Sequence, residues 1–149
     1  YVIAGPNARF GLPETGLGIV PGAGGTAHLA ARVGLGQALR LGMTGELIDA
    51  EEALRIGLVH ELCTSAELAM ERAQALARRC LARSPTAVAA FKAAARAAFG
   101  RPTDERDAIE GRAYEHCVRS GEAAQGRAAF EALVRGELTA WGPRKPFEG

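Results

Sequence analysis

Phe10-Gly-Leu-Pro-Glu14, followed by Gly18-Ile-Val-Pro-Gly-Ala-Gly-Gly25, is the stretch on which the reading of this chain turns. It sets one carboxylate, Glu14, between a proline and an apolar run that ends in a glycine-dense turn. Glycine lets backbone approach a ligand closely, because no Cβ stands in the way. A carboxylate beside such a turn is a candidate general acid or base. The backbone N–H groups that open the helix after Gly24 and Gly25 have no partners within it, so they can bind an anion or polarise a carbonyl or a water.

Two phosphate-binding alternatives sit on the same glycines. No Gly-Lys-Ser/Thr follows, so this is not a Walker A loop. Gly22-Ala-Gly24-Gly-Thr-Ala27 matches the dinucleotide fingerprint G-x-G-x-x-A, with Glu46 at a plausible distance for a ribose contact. That fingerprint requires a strand, helix, strand unit. Pro21 stands where the strand would end, and no strong β-run precedes Glu46.

Read as a whole, Ala8-Arg-Phe-Gly-Leu-Pro-Glu14 and Gly16-Leu-Gly18-Ile-Val-Pro21-Gly-Ala-Gly-Gly-Thr26 closely resemble the enoyl-CoA hydratase/isomerase (crotonase) family. Leu41-Gly-Met-Thr-Gly-Glu46, Ile48-Asp-Ala-Glu-Glu-Ala-Leu-Arg-Ile-Gly-Leu-Val59, Ser84-Pro85 before a Lys-bearing helix, and Gly126-Arg-Ala-Ala-Phe130 extend the likeness over nearly the whole chain. The resemblance implies an α/β fold: the end of a crotonase-like ββα spiral core over 1–62, then an all-helical oligomerisation region over 63–149. It implies an acyl-CoA enzyme, a hydratase adding water syn to a 2-enoyl-CoA, or alternatively an enoyl-CoA isomerase. No cofactor is implied, since the CoA thioester is the substrate.

Residue by residue, the resemblance makes Glu14 the group that exchanges a proton near the substrate α-carbon. Leu12, Pro13, Leu17 and Ile19 would supply apolar walls. It puts Pro21 and Gly22 at the catalytic water or acyl group, and Tyr114 where an aromatic reaches CoA in a neighbouring active site. Basic residues near the C-terminus hold CoA phosphate in the family. Here that ending is disrupted, and Arg135, Arg144 or Lys145 is left to take the role. His28 stands where relatives carry Arg and reads as a helix surface residue. The chain begins at Tyr1, without Met, and aligns with roughly the C-terminal half of family members. The expectation is therefore a fragment, a processed chain or an incomplete sequence. The first catalytic glutamate and the oxyanion-hole N–H groups would lie outside it, and the 149 residues alone are expected to be inactive. A non-catalytic assembly module is the reading of another class.

Composition sets the remaining bounds. A chain of 149 residues suits one domain. Net charge is +1, which gives no electrostatic case for nucleic acid. No apolar run is long enough for a membrane helix. Cys63, Cys80 and Cys117 lack CxxC spacing and read as small buried hydrophobes of a reducing compartment, the cytoplasm. His28, His60 and His116 lack metal-ligand spacing, so no metal site is expected.

The helical period predicts short helices over 26–33 and 37–43. Asp49-Ala-Glu-Glu52 reads as a capping box in which Glu52 also reaches back, and Thr64-Ser-Ala-Glu67 as a second. A helix to about Ala82 would bury Ala69, Ala73, Leu76 and Cys80. Ser84-Pro85 opens another to about Phe99, burying Val88, Phe91 and Ala95. Thr103 would cap a helix reaching Arg119, and a last helix would cover 122–135. Helices with such stripes and no sheet of their own need a surface to pack on. In the family this chain resembles, that surface is the spiral core plus neighbouring subunits, so the resemblance implies a homotrimer or a hexamer.

Overall fold

A computed structural model describes residues 1–147. It divides into two compact units, Tyr1–Ala75 and Leu76–Gly149. The chain is mostly helical with a few short strands.

In the first unit, β1 (Ile3–Ala4) pairs in parallel with β4 (Glu61–Leu62), with Ile3 opposite Glu61. β2 (Arg9–Phe10) pairs antiparallel with β3 (Ile48–Asp49), with Phe10 opposite Ile48. The alternation over Leu58–Leu62 suits a short strand, but only its last two residues pair. Three helices pack on these ladders: α1 (Gly25–Val33), α2 (Leu35–Thr44) and α3 (Ala50–Arg55). The core gathers Leu41 and Val59, each 1% exposed, with Leu29, Ile48, Ala50 and Ala53. Gly11 is required by close approach: a Cβ there would lie 2.6 Å from the Glu46 carbonyl oxygen. This contact presses β2 against the turn after α2.

Asp49 caps α3, its Oδ1 accepting from the Glu52 N–H at 2.9 Å. The reciprocal half of the capping box does not form. The Glu52 carboxylate is held by Arg55 at 2.6 Å and Arg40 at 2.7 Å, and the Arg55 hydrogen bond leads the effects that keep it below the usual carboxylate range. Two guanidinium groups outcompete one backbone N–H. The second cap is Ser65 rather than Thr64, its Oγ accepting from the Leu68 N–H at 3.1 Å.

The helix it opens, α4 (Ala66–Leu81), buries none of its residues. Of the expected stripe, Ala69 and Leu76 are half-buried, whereas Ala73 and Cys80 are exposed. Cys63 is buried as expected. Cys117 is half-buried, and burial pushes its thiol up.

In the second unit, α5 (Pro85–Ala98) and α6 (Thr103–Arg119) pack together. Ser84 caps α5, accepting from the Ala87 N–H at 2.9 Å, with Pro85 at the first position. The buried face of α5 differs from the amphipathic reading. Thr86, Ala90 and Ala94 are inside, whereas Phe91 is 75% exposed and Val88 and Ala95 also face out. Ala90 and Ala94 meet Ala113 of α6 in one cluster, and small side chains of this kind let helix backbones come close.

Thr103 is the first residue of α6 and gives no cap; its Oγ1 accepts from Arg106 at 2.9 Å. The last helix is two, α7 (Glu122–Ala128) and α8 (Phe130–Val134), with a break at Ala129.

Thr86 is wholly buried because its hydroxyl is used twice. It donates to Glu122 Oε1 at 2.7 Å and accepts from the Lys145 N–H at 2.9 Å. The Ser84 hydroxyl also donates to Glu122. Burial alone pushes the Glu122 carboxyl up. The hydroxyl bonds and the Lys145 charge outweigh it and hold the group below its ordinary range.

Candidate active site

Glu14 lies in a 3-10 turn, Pro13–Leu17. Pro13 presets the first φ of the turn. Gly18, at φ +75°, ends it. The Ile19 N–H donates to the Glu14 carbonyl at 3.2 Å, and the Gly18 N–H to that of Thr15 at 3.2 Å. The Thr15 hydroxyl ties the turn to α2, donating to the Gly42 carbonyl at 2.9 Å.

The Glu14 side chain is the unusual group. Its Oε2 is buried and has no hydrogen-bond partner. Leaving a buried polar oxygen unpaired costs on the order of 1–3 kcal/mol, so natural structures seldom do so without a reason. Site oxygens that meet a ligand or a water are one such reason.

The chain then crosses Val20–Gly24 and enters α1. Gly22 is exposed, and a Cβ on it would meet nothing within 4 Å. Its backbone is therefore open to a ligand. Pro21 is half-buried, its carbonyl accepting from the Thr26 hydroxyl at 3.3 Å. Gly24 has φ +87°, which L side chains rarely adopt, and a Cβ there would lie 2.6 Å from the His28 ring. The first α1 bond runs from the His28 N–H to the Gly24 carbonyl at 2.9 Å. The N–H groups of Gly25, Thr26 and Ala27 have no intrahelical acceptor. A 3-10 turn, not a strand, leads into this glycine turn, so the dinucleotide reading loses the unit it requires.

An apolar cleft of about 190 Å³ adjoins the turn, lined by Leu12, Thr15, Val20, Pro21, Leu39 and Met43 among others. Of the expected apolar walls, Leu12 lines this cleft, but Leu17 is 76% exposed and Ile19 is also exposed. The 3-10 turn swings both outward. The cleft residues of α2, Leu35, Leu39 and Met43, were missed. Their four-residue spacing was the available signal.

In the second unit, Tyr114 is exposed on α6 beside Phe91, along an apolar groove of about 290 Å³ between α5 and α6. Lys145 lies in the tail. Its backbone is fixed on Thr86 while its side chain is exposed. Arg144 is exposed too, whereas Arg135 is paired with Glu137 at 2.7 Å. Among the described residues no three His, Cys, Asp or Glu side chains are grouped as metal ligands. No described helix is long and apolar enough to cross a membrane.

A family model described as Enoyl-CoA hydratase/isomerase matches residues 1–134. The chain is 41% identical over 128 residues to a short-chain-enoyl-CoA hydratase of Clostridium acetobutylicum, covering 86% of this chain and 49% of that protein. It is 41% identical over 130 residues to a crotonyl-CoA hydratase of Syntrophomonas wolfei, covering 87% and 50%. Among solved structures, an enoyl-CoA hydratase of Bacillus anthracis superposes with a TM-score of 0.85 at 32% identity, covering 93% of this chain and 52% of that one. The chain thus spans about half the length of the curated relatives it matches. The match over most of these residues, joined to the fold they adopt, places the chain in the enoyl-CoA hydratase/isomerase family.

Proposed function

We propose that these residues belong to an acyl-CoA enzyme of the crotonase type, an enoyl-CoA hydratase, and that Glu14 is its proton-transfer group at the substrate α-carbon. The observation that carries the reading is the buried, unpartnered Oε2 of Glu14, in a turn whose N-cap Leu12 and whose Thr15 line an apolar cleft. A thioester acidifies its α-hydrogens, and a positioned carboxylate takes or returns one. In hydration the water oxygen bonds the β-carbon and a proton reaches the α-carbon on the same face. Pro21 and Gly22 lie against the water or acyl group, and Leu17 against the acyl chain. The family resemblance assigns activation of the water to a second glutamate outside these residues. It likewise assigns oxyanion donors that stabilise the thioester enolate. Tyr114 and Lys145 contact CoA.

The α4–α8 region serves assembly in this proposal, as a homotrimer or hexamer. Phe91, Phe99 and Tyr114, each about 70% exposed, supply apolar surface for it.

The test is hydration of crotonyl-CoA by a longer polypeptide containing these residues, followed as loss of enoyl thioester absorbance. Hydration is expected, together with exchange of the α-protons of butyryl-CoA in heavy water. Conversion of a 3-enoyl-CoA to the 2-enoyl isomer without hydration would make the enzyme an isomerase that uses Glu14 alone. Absence of all three reactions overturns the proposal.

A further inference from the structure

The Glu14 side chain makes no hydrogen bond among the described residues, so no polar partner fixes its direction, which is left to the backbone of its turn and the packing around its buried Oε2. What holds that turn decides where the carboxylate points. Within the turn, the two bonds from Gly18 and Ile19 close it on itself but tie it to nothing else. Contacts with α2 tie it down. A Cβ on Gly45 would lie 3.5 Å from Pro13 Cα, so the end of α2 packs against the start of the turn. The Thr15 hydroxyl donates to the Gly42 carbonyl, 27 residues away in sequence, and no other side chain of the turn makes a hydrogen bond among the described residues.

The acceptor is well placed for this. Gly42 lies in the last turn of α2, where carbonyls lack intrahelical partners. The N–H that would have reached it, that of Glu46, donates instead to Thr44 Oγ1 at 3.3 Å. The Thr15 hydroxyl therefore satisfies an orphan carbonyl and docks the turn on a helix at once. Thr15 is itself exposed, so little packing depends on it.

We propose that Thr15 is a positioning residue: its bond to Gly42 aims the Glu14 carboxylate, an inference that rests on Glu14 being the proton-transfer group. A near-neutral hydrogen bond at the surface contributes little to folding, whereas a small misdirection of a proton-transfer group is felt strongly in rate.

The experiment compares Thr15→Val, Thr15→Ser and Glu14→Gln in the longer, active polypeptide. Thr15→Val is expected to lower kcat roughly tenfold, with KM within about twofold and the unfolding midpoint unchanged; Thr15→Ser should restore kcat. Thr15→Cys, a weak donor of similar size, replaces Thr15→Val if that protein does not fold. Wild-type kcat in Thr15→Val, alongside a Glu14→Gln that has lost turnover, overturns the positioning role and leaves the proposed function standing. A loss that follows the unfolding midpoint and is not restored by Ser shows a merely structural residue and overturns it too. Wild-type turnover in Glu14→Gln removes both.

Discussion

Glu14→Gln in a longer, active polypeptide is expected to lower turnover by about 10²–10⁴, the usual loss when a general acid–base group is removed. The substitution keeps the side-chain shape and removes proton-transfer capacity. It also puts either an amide NH₂ or a carbonyl at the buried position of Oε2, which has no partner in the described structure. Folding should therefore change little. Exchange of the α-protons of a saturated acyl-CoA in heavy water should fall with turnover, while CoA affinity stays near normal. That combination separates chemistry from binding, because a lost binding contact would raise KM first. If exchange and turnover survive within a few fold, Glu14 is a loop acid and the proposed mechanism is wrong.

Thr86→Val should be the most damaging conservative change in the second unit, at about 3 kcal/mol. Valine matches the volume and loses the hydroxyl. Glu122 Oε1 then loses a donor at a buried site, and the Lys145 N–H loses its acceptor. Urea unfolding of the two proteins at neutral pH measures the difference. A change under about 0.5 kcal/mol, the range of ordinary surface substitutions, would show that the cluster is slack.

The acid limb gives a second readout. The folded Glu122 carboxyl lies below its ordinary value of 4.5. Its contribution is thus full above that value and disappears as pH falls through the lower, folded one. Removing a donor moves the folded value up toward 4.5, so Thr86→Val should lose less stability than the parent on acidification and finish losing it at a higher pH.

The glycine turn was legible in the sequence, because it depends on local chemistry: glycines where backbone must stay open. A carboxylate after proline reads locally as a loop acid, and it is the family resemblance that makes Glu14 the proton-transfer candidate. The 3-10 turn was not legible. Leu17-Gly-Ile-Val reads as an extended apolar run, and nothing local says that its side chains face outward. The buried face of α5 was misread for a related reason. Burying the bulkiest residues is the rule for a helix on a broad core, and it selects Val88 and Phe91. Here the alanines permit close helix contact, and Thr86 is admitted because its hydroxyl is fully used. Its partner Glu122 lies 36 residues on. In one dimension it looks like any acid in a first helical turn, and only the folded chain shows it as the centre of a buried cluster.

The outward turn of α5 also bears on how these residues behave in solution. Phe91, Phe99 and Tyr114 present sticky surface, and the only general defence against such surface is mutual charge repulsion. With a pI near 8.0 and a formal charge of +1 at neutrality, that repulsion is nearly absent around slightly alkaline pH. Colloidal stability of the 149 residues is therefore poorest in ordinary purification buffers. It improves toward mildly acidic pH, where the charge grows while Glu122 stays ionised.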